Sequence, residues 1–156
     1  MKKIISIVTP TFNEESNVEK LCSLISGEMQ KLNYEYEHIV IDNHSTDSTI
    51  SILKNLASKD KNLKLIINSR NFGHIKSPIH GMLQAKGDAI ILMASDFQDP
   101  VSLIPSYLSE WEKGNKVVMA QKSGSDEDKK LNCIRKSFYK IIKYIAEVPR
   151  LTNTTG

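Results

Sequence analysis

Four times in the first hundred residues, a short run of aliphatic and β-branched residues leads into a polar segment, and an apolar pattern at helical spacing follows. This alternation is what βαβ units look like in sequence, and it implies a mostly parallel sheet with helices packed on it. Residues 4–9 (IISIVT) read as a buried parallel strand ended by Pro10. Residues 38–42 (HIVID), 63–68 (LKLIIN) and 89–93 (AIILM) read as the second, third and fourth strands, and 117–120 (VVMA) as a fifth. Ser16 and Glu19 have the spacing of a capping box for a first helix carrying Val18, Leu21, Cys22, Ile25 and Met29. Ile50, Leu53, Leu56 and Ala57 mark a second helix. Pro78 suits the first turn of a third, where its missing N–H is not needed. Pro100 opens a fourth, with Leu103, Ile104, Tyr107, Leu108 and Trp111 on one face and Gly114 placed to end it.

In parallel sheets of this kind ligands bind beyond the carboxyl ends of the strands. That rule singles out residues 10–15 (PTFNEE), 42–47 (DNHSTD) and 94–100 (ASDFQDP). None carries the glycine signature of a P-loop or a dinucleotide fold, which speaks against those two nucleotide classes. A carboxylate at position 42 can accept hydrogen bonds from a ribose or base, and Ser45, Thr46 and Asp47 can equally cap the next helix. Asp96 and Gln98 stand two apart at a strand exit, so they can point the same way and offer oxygen ligands suited to Mg²⁺ or Mn²⁺. The same segment also reads as a capped helix start, with Asp99 beside Pro100.

Taken in order, PTFNEE, IDNHSTDST, SRNFG (residues 69–73) and AKGDAIILMASDFQDP resemble the family 2 glycosyltransferases of the GT-A fold. The likeness is strongest to the polyprenyl-phosphate glycosyltransferases, including dolichyl-phosphate mannose synthases. It implies a Rossmann-like three-layer α/β/α sandwich with a mostly parallel central sheet. It also implies a hexosyltransferase that moves a sugar from a UDP- or GDP-sugar to a polyprenyl phosphate with inversion, aided by Mg²⁺ or Mn²⁺. Carried over by position, Pro10, Phe12, Glu14, Asp42 and Asn43 would bind the nucleotide. Asp96 and Gln98 would hold the metal. Asp96 and Asp99 would be the catalytic acids. Lys122, Arg135 and Lys136 fall near the acceptor-phosphate positions.

Two departures matter. The family's first metal-binding acid is replaced by Ala94, which weakens the expected metal site, and the second acid after strand two is replaced by Asn43. Ala94 therefore leaves a second reading open: a nucleotide-sugar-binding domain without catalysis. An unrelated receiver-like α/β module is a third, and the four ordered motifs speak against it.

Charge divides the chain. Residues 1–128 hold 14 Lys/Arg against 17 Asp/Glu, and residues 129–156 hold 7 against 1. The expected organisation is a donor-binding core at 1–122, a mobile polar loop at 123–128, and a basic amphipathic helix with the start of an acceptor-side region at 129–156. That helix could meet anionic lipid. No nucleic-acid motif accompanies it, so no nucleic-acid partner is expected. The last residues look like a truncated acceptor region. The full-length protein is expected at the cytoplasmic face of a membrane. Cys22 and Cys133 make no disulfide framework and read as buried thiols in a reducing compartment. His44, His74 and His80 lack metal spacing, and Trp111 reads as sheet packing.

Overall fold

A computed structural model describes residues 2–120. The elements run β1 (Ile4–Thr11), α1 (Val18–Met29), β2 (Glu35–Asp42), α2 (Thr49–Ala57), β3 (Leu63–Ile67), α3 (Gly73–Leu83), β4 (Ala89–Leu92), a 3₁₀ turn (Val101–Leu103) and α4 (Ile104–Glu112). The four strands form one parallel sheet in the order β3-β2-β1-β4. The chain falls into two compact units, Met1–Lys113 and Gly114–Gly156. Among the described residues no helix is long and apolar enough to cross a membrane.

Side-chain alternation along β1 assigns the layers. Ile5 and Ile7 lie in one apolar cluster with Leu21, Ile25 and Met29 of α1 and Ile104 and Leu108 of α4. Val18 of α1 and Leu53 of α2 join Val40 and Leu63 in a second cluster. Val8 points the other way, against α3. An alanine Cβ built at Gly81 of that helix would lie 2.9 Å from Val8 Cγ1 and 3.0 Å from Ile41 Cγ2. Glycine here lets the α3 backbone rest directly on the sheet. Helices therefore cover both faces, as the α/β/α reading required.

Four local expectations are corrected. β1 continues through Pro10 to Thr11. Val8 O accepts from Met93 N, and Pro10 O accepts from Ser95 Oγ, so both residues turn their backbone polar groups toward β4. The ladder to β4 ends at Val8 opposite Leu92. An N–H at position 10 would find no strand to bond, so proline costs the sheet nothing there.

The capping box does not form. Asn17 and Val18 both donate their N–H to the Glu14 carbonyl, and α1 starts after that turn without a side-chain cap. Pro78 lies inside α3, not in its first turn, and is buried. The proposed fifth strand at 117–120 has no partner strand among the described residues, and Val117 and Met119 are exposed there. Residue types that favour strands do not make one without a neighbour.

The lower end of the sheet holds a buried polar cluster. Glu37 accepts hydrogen bonds from Ser6 Oγ at 2.6 Å, Lys86 N at 2.7 Å and Lys64 Nζ. Burial opposes its charge, yet these donors outweigh that effect and hold the carboxyl below its usual pKa. His38 is buried with Nε2 3.0 Å from Thr9 Oγ1, and burial lowers its pKa to about 4. It is a neutral core residue. Cys22 is half-buried beside the second apolar cluster, and burial pushes its thiol up to about 12, which makes it inert. Trp111 packs against the first cluster, with Lys3 Nζ 4.6 Å from its ring centroid.

Candidate functional site

Strand order locates the site before any side chain is considered. The chain steps from β1 outward through β2 to β3, then returns to place β4 on the opposite side of β1. That reversal is the topological switch point, and the crevice beyond β1 and β4 is where such sheets bind ligands. The loops after β1 and β4 flank it and are tied together by the 3.2 Å bond from Ser95 Oγ to Pro10 O.

Backbone strain marks the same edge. Among the described residues, those with positive φ that are not glycine are Asn13 (55°), His44 (71°) and Phe97 (60°). They fall in the loops leaving β1, β2 and β4. Asparagine tolerates this conformation, but an aromatic residue does so only when its surroundings hold it there. Phe97 is half-buried against the first apolar cluster, and Lys20 Nζ stands 5.5 Å from its ring centroid.

The β1 and β2 loops are stitched together reciprocally. Asn13 N donates to Ser45 Oγ at 2.8 Å, and Asn13 Oδ1 accepts from Thr46 N at 2.8 Å. Glu14 N donates to Thr49 Oγ1 at 2.8 Å, and Glu15 Oε2 accepts from Ser48 N at 2.8 Å. This leaves Phe12 exposed beside half-buried Pro10 and Glu14, and Glu14 Oε2 accepts from Asn17 Nδ2 at 2.7 Å. Thr11 Oγ1 is the one buried side-chain polar atom among the described residues without a hydrogen-bond partner. Thr11→Val removes that hydroxyl at constant shape and breaks no bond. Stability in denaturant unfolding is expected to hold or rise by up to about 1 kcal/mol, and a fall would show a missed partner.

Asp42 and Asn43 do not present their polar atoms as the resemblance implied. Asp42 is 0% exposed and its carboxylate accepts from both the N–H and the hydroxyl of Ser45. Asn43 is 6% exposed. Its amide reaches the β3 loop, with Nδ2 2.9 Å from Asn71 Oδ1 and Oδ1 2.9 Å from Phe72 N. Sequence reasoning missed Asn68 and Asn71 as partners. Their signal was an unusual density of asparagine at adjacent strand exits.

Asp96 and Gln98 also differ from the strand-alternation reading. β4 ends at Leu92, so both lie on a turn. Asp96 Oδ1 accepts from Gln98 N at 3.1 Å, and Phe97 at positive φ closes that turn. Asp96 and Gln98 are exposed and Ala94 is half-buried beside them. Asp99 lies near enough to Tyr107 of α4 to help raise the phenol's pKa, after burial. No group of three His, Cys, Asp or Glu gathers into a metal site among the described residues. One carboxylate with neighbouring oxygens suits a hard divalent ion that takes its remaining ligands from a diphosphate and water. Lys122, Arg135 and Lys136, the 123–128 loop, the 129–145 helix and Cys133 lie outside the described residues.

A family model described as glycosyl transferase family 2 matches residues 6–155. The chain belongs to that family. Relatives and solved structures agree with the membership. Over 155 residues the chain is 35% identical to the bactoprenol glucosyl transferase of Shigella phage SfV, covering 97% of this chain and 50% of that protein. The S. aureus TarS 1-349 crystal structure matches with a TM-score of 0.61 at 26% identity, over 82% of this chain and 37% of that one. The same TarS fragment in complex with UDP-GlcNAc matches with a TM-score of 0.51 at 27% identity, over 69% and 32%. These likenesses bear out the GT-A architecture for this family 2 chain. The chain spans about half the length of the curated relatives it matches.

Proposed function

We propose that this chain is the donor-binding part of a glycosyltransferase that moves a sugar from a nucleotide-diphosphate sugar to a polyprenyl phosphate. One observation carries the reading: β1 and β4 are neighbours at the switch point, so the loop with Phe12 and Glu14 and the Asp96–Asp99 turn leave adjacent strand ends, joined by Ser95 Oγ donating to Pro10 O. The similarity to a bactoprenol glucosyl transferase supports the acceptor class, and the match to TarS with UDP-GlcNAc supports the donor class.

Exposed Phe12 offers a flat apolar surface to a base or ribose. Glu14, held by Asn17, accepts from a ribose hydroxyl. Asp96 and Gln98 would hold Mg²⁺ or Mn²⁺ at the diphosphate, and a bound ion supplies charge neutralisation for the departing group. Asp99 stands by the sugar or braces the turn. A lipid phosphate is already anionic at neutral pH, so direct displacement with inversion requires positioning and electrostatic stabilisation but no strong general base. Lys122, Arg135 and Lys136 are the proposed acceptor-phosphate cations, and the cytoplasmic membrane face is the proposed place of action.

Calorimetry with UDP, GDP and their sugars, with and without Mn²⁺, tests the reading. Binding of one nucleotide, tightened by Mn²⁺, is expected, and no binding to any of them overturns the reading. Ala94→Asp should tighten the Mn²⁺-dependent component about tenfold by adding a second carboxylate. No change would remove Asp96 and Gln98 as metal ligands. Binding without turnover in the full-length enzyme supplied with polyprenyl phosphate would leave a non-catalytic domain.

A further inference from the structure

We infer that Asn43 is a positioning residue: its side-chain amide fixes the loop after β3 at the rim of the donor site and does not itself read the nucleotide. The inference rests on the donor-site reading above and reassigns one residue within it.

A primary amide has two donor hydrogens and two acceptor lone pairs. All four are used inside the protein. Nδ2 donates to Asn71 Oδ1 at 2.9 Å and to Gly73 O at 3.4 Å. Oδ1 accepts from Phe72 N at 2.9 Å and from Asn68 Nδ2 at 3.2 Å. A base edge would have to displace one of these.

The partners close a ring around the loop. Asn71 Oδ1 also accepts from Gly73 N at 2.8 Å, and Asn68 Nδ2 also donates to Ser77 Oγ at 3.0 Å. Asn68 N donates to Asp42 O at 2.9 Å, and Asn43 N donates to Thr11 O at 2.8 Å. The Asn43 side chain therefore links the exits of β2 and β3 to the start of α3, and its backbone N–H ties the same residue to the exit of β1. The loop's outward groups, the Arg70 guanidinium and the Phe72 ring 4.6 Å beneath it, depend on that anchorage for their place.

The network also explains why position 43 is an amide here. An aspartate could keep both acceptor bonds but would set a carboxylate oxygen against Asn71 Oδ1 and Gly73 O. Turning the Asn71 amide over would relieve that contact and strip Gly73 N of its acceptor.

The test compares Asn43→Ala, Asn71→Ala and the double variant, by amide hydrogen exchange and by calorimetry with UDP and GDP. Exchange at Phe72 and Gly73 should speed about tenfold in either single variant. Nucleotide affinity should fall by a similar factor in each, and the double variant should lose no more than one of them, since both break one network. Asn43→Asp should keep the Phe72 amide protected and speed Gly73. Unchanged exchange, or losses that add in the double variant, would overturn the inference. If Asn43→Ala does not fold, Asn71→Ala alone decides through exchange and affinity, because Asn71 is exposed. Should the wild type bind no nucleotide, the donor-site reading fails, and the exchange data still judge whether Asn43 holds the loop.

Discussion

Replacing Gly87 with alanine is expected to destabilise the Met1–Lys113 unit by about 3 kcal/mol. A Cβ there would lie 2.7 Å from Ile4 O, from Ser6 N and from Ser6 Oγ. Two of these atoms are β1 backbone. The third is held by its donation to buried Glu37. None is the free end of a flexible side chain, so β1 or the turn must move. Movement strains three bonds at once: Gly87 N to Ser6 Oγ, Asp88 N to Ile4 O, and Ile4 N to Asp88 Oδ2. Urea unfolding followed by circular dichroism measures the effect. Gly27→Ala is the control, because nothing lies within 4 Å of its Cβ and alanine favours the α1 helix. A Gly87→Ala loss under about 0.5 kcal/mol would show that the strand yields, since that is the range of ordinary surface substitutions.

The parts of this fold that periodicity could reveal are those in which neighbours along the chain share one environment. The aliphatic core of β2 is continuous because both of its faces are covered, β4 is aliphatic although Ile90 and Leu92 on one face are exposed, and α1 shows its stripe because only one side meets the core. What escaped the reading depends on contacts distant in sequence. Pro10 stays in β1 because β4 stops short at Leu92, which no local pattern records. Pro78 is carried inside α3, where the helix packs on β1 and β2, against its local preference for a first turn.

The site divides the same way. Strand exits could be named from the βαβ pattern, so the segments at 10, 42 and 94 were found. The direction of each polar side chain could not be, because Asn43 answers to Asn68, Asn71 and Phe72, which lie 25 to 29 residues away. Asp96 and Gln98 were read with strand alternation, and a positive φ at Phe97 replaces that alternation with a turn.

That turn makes Asp96 the decisive test of the chemistry. If the proposed function holds, Asp96→Asn is expected to lower sugar transfer to the proposed polyprenyl phosphate acceptor by about 10²–10³-fold, the usual cost of removing one aimed electrostatic group from a transition state. The amide keeps Oδ1 as acceptor for Gln98 N, so the turn and Phe97 hold their places and the lost charge is isolated. Ala94 makes the effect larger than in a site with two acids, since no second carboxylate precedes Asp96 on that strand exit. The variant should retain most nucleotide affinity without Mn²⁺ and lose the increment that Mn²⁺ supplies. Ala94→Asp placed in the Asp96→Asn background should restore part of that increment, because a carboxylate returns to the same crevice. Turnover within about threefold of wild type in Asp96→Asn would remove Asp96 from the reaction, since a shift that small is about 0.7 kcal/mol in the barrier. It would leave Asp99 as the only other acid of that turn available for the role, although its charge also helps, after burial, to raise the pKa of the Tyr107 phenol. A large loss with the Mn²⁺ increment intact would make Asp96 a contact to the sugar and not a metal ligand, and the crevice would then bind its donor through Phe12, Glu14 and the loops that Asn13 and Asn43 hold in register.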